Sequence, residues 1–249
     1  MNAISNAKLE EADRRNIHAR LGMLVPSGNI LAEDQVRALL PASVALHVTR
    51  LPLTHSSDDA LRAMIEGLPQ SAAMLADARV DVIAFNCTAV STRKPGADAD
   101  IVRRIENATG TPALTTGDAL VQGLRALGCS RIALVTPYVA PVVEREAAYF
   151  RHYGFEVLSA TGSGIDTNWD MAKERPELWF DCTLAQKNEA ADAYVLSCTA
   201  IRTLSIIGPL EETLGRPVLT SNQAITWLAM RRLGAEQSAS GAGRLFRAA

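Results

Sequence analysis

Short runs of apolar residues alternate along this chain with longer stretches whose apolar positions repeat at helical spacing. The short runs are continuously apolar, as in parallel strands buried on both faces. This rhythm predicts βαβ units of parallel sheet. The predicted strands are residues 20–25, 45–50, 82–86, 111–114, 132–136, 155–159, 193–196 and 217–220. The predicted helices are residues 31–40, 97–108, 118–127, 142–153, 166–172, 178–189, 204–214 and 223–233. A further long helix is capped by Ser56 or Ser57, runs towards Ala78 and is interrupted at Pro69. Residues 88–96 are turn-rich.

An apolar run that ends on a cysteine followed by Thr-Ala occurs twice, at Cys87 and at Cys198, 111 residues apart. The apolar runs that begin at Arg20 and Arg131 have the same spacing. We therefore predict an α/β protein of two pseudo-symmetric, Rossmann-like (flavodoxin-like) domains, each with a four-stranded parallel sheet. The predicted domains are residues 17–116 and 117–222, and the C-terminal stretch 223–249 is a candidate to pack on the first. Since ligands of such sheets bind beyond the carboxyl ends of the strands, we expect both cysteines at an active site in the interdomain cleft.

The composition excludes several classes of function. The 249 residues are 48% hydrophobic and carry a net charge of −2, with no basic stripe of the kind that nucleic-acid binders show. No apolar run approaches the roughly 18 residues of a membrane span. Residues 1–16 are polar and charged and lack an apolar h-region, so we interpret them as a mobile tail or frayed helix and not as a secretory signal. We expect a cytoplasmic protein.

Motifs for metals and cofactors are absent from the sequence. The four cysteines form no CxxC pair, and the four histidines lack the spacing of metal ligands. There is no GxGxxG after the first predicted strand and no Walker motif. We therefore predict a protein without a metal, a cofactor or a disulfide scaffold.

The two repeated cysteines are the main candidates for chemistry. A thiol at the end of a strand, before a helix N-terminus, lies near unpaired backbone N–H groups that favour the thiolate and lower its pKa. A single such cysteine is more often a small buried hydrophobe, but the repeat favours a functional pair. Thr88 and Thr199, which follow them, offer hydroxyls and backbone donors for carboxylate oxygens. Cys129 and Cys182 lack this context, and we interpret them as structural.

Further polar residues follow other predicted strands. Asn29 follows the first strand and Tyr138 its counterpart in the second half, while Asn168 precedes a predicted short helix. Each has a structural alternative: a turn residue with positive φ for Asn29, an interface aromatic for Tyr138 and a helix cap for Asn168. Residues 221–223, after the last strand, could likewise form a helix cap.

These residues carry a resemblance to the aspartate/glutamate racemase superfamily, and within it to the branch of the maleate cis–trans isomerases and arylmalonate decarboxylases. The matching segments span residues from about 20 to 233, and residues 243–246 are similar to the C-terminal end of the decarboxylases. The segments are Val-Pro-Ser-Gly-Asn at 25–29, Cys-Thr-Ala at 87–89, Leu-Arg-Ala-Leu-Gly at 124–128 leading to Thr-Pro-Tyr at 136–138, Gly-Ile-Asp-Thr-Asn at 164–168, 196–204 and 217–223.

The resemblance implies roles for individual residues. Cys87 matches the nucleophilic cysteine of the isomerases and Cys198 their second, proton-handling cysteine. Asn29, Tyr138 and Asn168 match residues that hold the carboxylates of the substrate. The remaining members of the predicted substrate-binding set, taken from the motif segments, are Ser27, Thr88, Ala89 and Thr199.

Two features of the sequence bear on the choice within the family. The decarboxylases that this chain resembles have a cysteine at the position of Cys198 and none at that of Cys87, so the pair favours an isomerase or racemase. The isomerases usually have Ser-Ser-Asn-Thr in the first motif, whereas this chain has Ser27-Gly28-Asn29-Ile30. This difference leaves open whether the first carboxylate pocket is altered and whether the substrate is a compound other than maleate.

We expect a cofactor-independent cis–trans isomerase of maleate or a related small dicarboxylate. Three alternatives remain at this point: a two-cysteine amino-acid or dicarboxylate racemase, an arylmalonate-type decarboxylase that uses chiefly Cys198, and a small-molecule binding module without catalysis. A homodimer or higher homo-oligomer is the default expectation for assembly.

Overall fold

The structure of the protein is a computed structural model that describes residues 16–54, 58–235 and 241–248. It contains two four-stranded parallel sheets with the same strand order, β2-β1-β3-β4 and β6-β5-β7-β8. The predicted fold class is thereby confirmed. The strands are β1 Ala19–Pro26, β2 Val44–Leu51, β3 Val82–Phe85, β4 Ala113–Thr115, β5 Arg131–Thr136, β6 Glu156–Gly162, β7 Ala193–Leu196 and β8 Val218–Thr220.

Helices connect these strands as the sequence pattern predicts. They are α1 Ala32–Leu39, α2 Asp58–Glu66, α3 Leu68–Asp77, α4 Thr88–Ser91, α5 Ala97–Thr109, α6 Thr116–Ala126, α7 Ala140–His152, α8 Asn168–Lys173, α9 Pro176–Leu184, α10 Ile207–Leu214 and α11 Ser221–Leu233, with 3₁₀ turns at Leu204–Ile206 and Leu245–Arg247.

The interruption predicted at Pro69 is present: the long predicted helix is divided at Gly67 into α2 and α3, because Pro69 falls in the first turn of α3, where its missing N–H is tolerated. Two other details of the predicted elements differ from the structure. The turn-rich segment 88–96 begins with the single turn α4. The predicted helix 178–189 begins earlier and ends at Leu184, where the following N–H groups of Gln186 and Lys187 bond three residues back instead of four. The cap predicted at Ser56 or Ser57 lies outside the described residues, as do residues 1–15 of the N-terminal tail predicted over 1–16.

The internal repeat is visible at the level of single hydrogen bonds. At the start of β1 the backbone N–H of Arg20 donates to the carboxylate of Asp81 at 2.7 Å. At the start of β5 the N–H of Arg131 donates to the carboxylate of Asp192 at 2.9 Å. Both pairs lie at equivalent places in their sheets and retain the spacing of 111 residues. The repeat read from the sequence therefore corresponds to a structural duplication.

The helices that follow the last strand of each sheet hold the two halves together. Helix α6 follows β4 and helix α11 follows β8; they pack on each other, and α11 also packs on α1 of the first half. The first ten residues of α11 are all buried, and Trp227 shares one hydrophobic cluster with Leu21 of β1 and Leu134 of β5. The C-terminal segment joins the same cluster through Leu245 and Phe246. The domain boundaries at 116/117 and 222/223 stay a prediction.

Across the described residues, none of the helices has the length and apolar character needed to traverse a lipid bilayer.

Candidate active site

The two repeated cysteines follow equivalent strands of the two sheets. Cys87 comes two residues after the end of β3 and is the N-cap residue directly before α4, with an extended backbone. Cys198 comes two residues after the end of β7. The residues before them, Asn86 and Ser197, donate their backbone N–H groups to the neighbouring central strands β1 and β5 at 2.8 and 2.9 Å. These bonds fix both thiols at the carboxyl ends of the sheets, where the topology predicts a site.

The thiols lie close together in the interface between the halves. Ionisation of Cys198 raises the pKa of Cys87, and both charges raise the pKa of Tyr138, so the three groups lie within electrostatic range of one another. Ala89, which belongs to the first half, packs in the same apolar cluster as Tyr138 and Cys198 of the second half. Cys87 and Cys198 are only 4% and 3% exposed. The structure thus brings the two cysteines and Tyr138 together in a buried pair of loops.

Burial controls the protonation of both thiols. Burial raises the pKa of Cys87 to about 12, against a smaller lowering by the backbone N–H of Val90. Burial also raises the pKa of Cys198 to about 12, while the hydroxyl of Tyr138 and the N–H of Ala200, 3.2 Å from the sulfur, lower it. The prediction that the helix N-terminus lowers these pKa values is wrong, because the loss of hydration outweighs the backbone donors. In this arrangement both groups are neutral thiols at pH 7.

Asn29 joins the first motif to the loop that carries Cys198. Its side-chain oxygen accepts bonds from the N–H groups of Leu31 and Ala32, both at 3.0 Å, where α1 begins. Its amide nitrogen donates to the hydroxyl of Thr199 at 3.0 Å. Asn29 is also a turn residue, because its backbone N–H donates to the carbonyl of Pro26 at 3.0 Å, but its φ is not positive. The side chain therefore has both a local and a cross-interface role.

Asn168 and Ser27 meet on the backbone of one residue, Leu53. The hydroxyl of Ser27 accepts from the N–H of Leu53 at 3.1 Å, and the amide of Asn168 donates to the carbonyl of Leu53 at 3.4 Å. A Cβ on Gly28 would lie 3.3 Å from that carbonyl and 3.5 Å from the amide nitrogen of Asn168. The small residue in the first motif thus allows this close approach. The cap of α8 is Thr167, so the cap alternative for Asn168 is wrong.

The two threonines predicted to bind substrate are engaged within the protein. The hydroxyl of Thr88 donates to that of Ser221 at 2.9 Å, at the start of α11. The hydroxyl of Thr199 accepts from Asn29, as described above. Both residues are buried. The structure therefore places Ser27, Asn29, Thr88, Ala89, Tyr138, Asn168 and Thr199 around the interface of the two halves.

Sequence reasoning missed a buried amide network behind the thiols. Asn222 accepts a bond from the amide of Asn86 at 3.0 Å, and it donates to the carbonyl of Thr199 at 3.0 Å and to the side chain of Gln35 at 3.1 Å. It thereby connects the residue before Cys87 with the residue after Cys198. The sequence indicated only a possible helix cap over residues 221–223. Gln223 does accept the backbone N–H of Thr220 at 2.9 Å at the start of α11, but no local pattern reveals the partners of Asn222.

We expect that Asn222→Ala lowers the free energy of unfolding by about 2–4 kcal/mol, because it removes two buried hydrogen bonds and a partly buried one and leaves their partners without Asn222. Urea unfolding followed by circular dichroism measures the change. The matched control is Asn107→Ala on the exposed side of α5, for which we expect a change within about 0.5 kcal/mol. Equal effects of the two substitutions would contradict the importance of the network.

No group of three or more histidine, cysteine, aspartate or glutamate side chains within 16–54, 58–235 and 241–248 is arranged to hold a metal ion. Independence from metals and cofactors stays a prediction from the sequence.

The fold and the site define a class of protein: a duplicated α/β protein whose halves each bring one cysteine to a shared interface. Comparison with known proteins identifies the family. The chain belongs to the arylmalonate decarboxylase family, whose family model matches residues 21–246.

Individual relatives of this chain include both isomerases and a decarboxylase. It is similar to a cysteine-to-alanine variant of the maleate isomerase from Pseudomonas putida, solved with maleate, with a TM-score of 0.89 and 30% identity over 93% of this chain and 98% of that one. A cysteine-to-serine variant of the Nocardia farcinica maleate cis–trans isomerase, with a covalently bound succinylcysteine intermediate, has a TM-score of 0.88 and 28% identity over 92% of this chain and 98% of that one. The arylmalonate decarboxylase of Bordetella bronchiseptica is 31% identical, covering 91% of this chain and 95% of the relative.

Proposed function

We propose that this enzyme catalyses the cofactor-independent cis–trans isomerisation of maleate, or of a closely related small dicarboxylate, to the trans isomer. The observation that carries the proposal is the pair of thiols, Cys87 and Cys198, held at equivalent strand ends and close enough that a charge on Cys198 raises the pKa of Cys87. The similarity to two maleate isomerase structures over nearly the whole chain supports it.

Cys87 acts first, as the nucleophile. The Cys87 thiol first loses its proton to water. The thiolate then adds to one carbon of the double bond, so that a C–S bond forms and the π electrons move towards the adjacent carboxylate. The Cys198 thiol donates its proton to the neighbouring carbon, which gives a succinyl thioether on Cys87 and a thiolate at Cys198. The former double bond is now single and rotates.

The second half of the reaction reverses these steps on the rotated adduct. Cys198 removes a proton from the carbon next to the C–S bond, the double bond forms again, and Cys87 leaves as the thiolate. No electrons or atoms are gained from outside. The hydroxyl of Tyr138, which donates a hydrogen bond to Cys198, stabilises the thiolate that this residue carries between the two proton transfers.

The amide groups of Asn29 and Asn168 are proposed to hold the two carboxylates, with Ser27, Thr88, Ala89 and Thr199 around them. Asn29 donates to Thr199 and Asn168 to the backbone of Leu53, so each exchanges a protein acceptor for a carboxylate oxygen on binding. Because both sulfurs are buried, a dicarboxylate reaches them only if the surrounding loops move apart. Closure of these loops over the bound substrate would exclude water from the charged adduct.

Decarboxylation of an arylmalonate is the second candidate function. The description of the matching family model and the relative from Bordetella bronchiseptica favour it. It would require chiefly Cys198, as the donor of a proton to the carbon that loses CO₂. A decarboxylase function leaves the presence of Cys87 unexplained.

Proton NMR in D₂O, with maleate, an arylmalonate and aspartate offered separately, distinguishes these functions. We expect the alkene signal of maleate to be replaced by that of fumarate. Loss of CO₂ from the arylmalonate alone would instead establish the decarboxylase, and deuterium at the α-carbon of aspartate without an alkene signal would establish a racemase. Binding of maleate without any change in its spectrum would indicate a small-molecule binding module without catalysis.

A homodimer or higher homo-oligomer and a cytoplasmic location complete the proposal. Both rest on the sequence, and light scattering coupled to size exclusion tests the first.

A further inference from the structure

A buried carboxyl group that the mechanism does not use lies beside the Cys198 loop. Glu146, in the middle of α7, is 0% exposed. One of its carboxyl oxygens accepts a hydrogen bond from the hydroxyl of Ser197, the residue directly before Cys198. The other oxygen has no hydrogen-bond partner among the described residues. A carboxylate in this place would be stabilised by a single hydroxyl, which is far less than a buried charge requires.

The same residue acts electrostatically on the candidate site. A negative charge on Glu146 raises the pKa of Cys198 and that of Tyr138, the residue that donates a hydrogen bond to its sulfur. Glu146 does not contribute to the shift of Cys87. Its influence is therefore directed at one of the two thiols.

We propose that Glu146 is a positioning residue for Cys198: it anchors the loop through Ser197, and it acts as a neutral acid whose ionisation makes Cys198 a weaker proton donor. This inference rests on the proton-handling role proposed above for Cys198. It adds to the two thiols a third ionisable group, which sets the upper limit of the pH range in which the pair works.

The protonation of Glu146 supports this role. Burial raises its pKa to about 8, and the hydrogen bond from Ser197 lowers it by a smaller amount. Below that pH the group is neutral and Cys198 feels no added charge. Above it the carboxylate forms, the pKa of Cys198 rises further, and its thiolate becomes harder to produce. The sign of the effect is therefore a loss of Cys198 reactivity on the alkaline side.

Other ionisable groups that face α7 lie away from Glu146. Asp98 on α5 and Asp118 on α6 act on Tyr149, which lies further along α7. The charged groups of the neighbouring strands lie at the opposite, amino ends of β5, β6 and β7; they are Arg131, Glu156 and Asp192. The shift of Glu146 has only two causes, its burial and Ser197. The proposed pH dependence thus belongs to this one carboxyl group.

Alkylation of the full-length protein with iodoacetamide tests the inference without any substrate. Trypsin places Cys87 and Cys198 in different peptides, residues 80–93 and 188–202, so mass spectrometry reports their rates separately in one sample. We expect the rate of Cys198 relative to Cys87 to fall roughly three- to tenfold as the pH rises through about 8. In Glu146→Gln, which retains a hydrogen-bonding group but cannot ionise, we expect a constant ratio.

Two further variants make the outcome decisive. Glu144→Gln, on the exposed side of the same helix, should behave as the unmodified protein does. Ser197→Ala removes the bond that lowers the pKa of Glu146, so the fall in the ratio should move to higher pH; this variant also decides the question if Glu146→Gln does not fold. A ratio that is independent of pH in the unmodified protein, or that falls equally in Glu146→Gln, overturns the inference. Absence of fumarate formation with the ratio behaving as expected would contradict the proposed function alone.

Discussion

Cys87→Ala is expected to abolish the formation of fumarate, with a loss of turnover of roughly 10⁴–10⁶-fold, because removal of a covalent nucleophile leaves only binding and electrostatic contributions. The fold should persist, since the substitution removes one buried sulfur atom and leaves only the N–H of Val90 without its acceptor. Rates measured by proton NMR, together with circular dichroism, provide the test.

Cys129→Ala is the matched control for this variant. Cys129 is also buried, and its sulfur lies 3.6 Å from the carbonyls of Leu127 and Asp192, at the amino end of the second sheet. We expect its activity to remain within about twofold of the unmodified protein. If Cys87→Ala retained its activity towards an arylmalonate, the decarboxylase would be favoured; retained activity towards maleate would contradict the covalent mechanism.

Cys198→Ser is expected to lower turnover of maleate by roughly 10²–10⁴-fold, the usual contribution of general acid–base catalysis. A serine hydroxyl is a much weaker acid than a thiol, so proton transfer to and from the adduct slows while addition of Cys87 is still available. Steady-state rates by NMR measure the loss. Cys182→Ser, at a half-buried position on α9, is the control and should leave the rate unchanged. Turnover in Cys198→Ser equal to that of the control would mean that another group handles the proton.

Much of the fold could be predicted because its signals are local. The continuous apolar runs that became β1 and β5 are buried on both faces, and the paired positions of Cys87 and Cys198 followed from a repeat that a single sequence displays. Pro69 indicated the break between α2 and α3. By contrast, the early end of α9 depends on how its last turn closes, which its composition does not reveal.

The environment of the site could be predicted only in part, because it depends on contacts between distant residues. Asn86 and Asn222 are separated by 136 positions, and Glu146 and Ser197 by 51. Neither pair leaves a pattern in a single sequence. The direction of the thiol pKa shifts was wrong for the same reason: the backbone donors are local, but the burial that dominates the shift is a property of the assembled halves.

The most direct test of the covalent mechanism is the location of the adduct. The Cys198→Ser variant is incubated with maleate, quenched in acid and digested with trypsin. The mass of the peptide of residues 80–93 is then measured by mass spectrometry. We predict that this peptide gains the mass of one maleate, at Cys87, and that the peptide of residues 188–202 does not. Fumarate formation by the unmodified protein without an adduct on Cys87 in this variant, or with the adduct on another residue, would contradict the account.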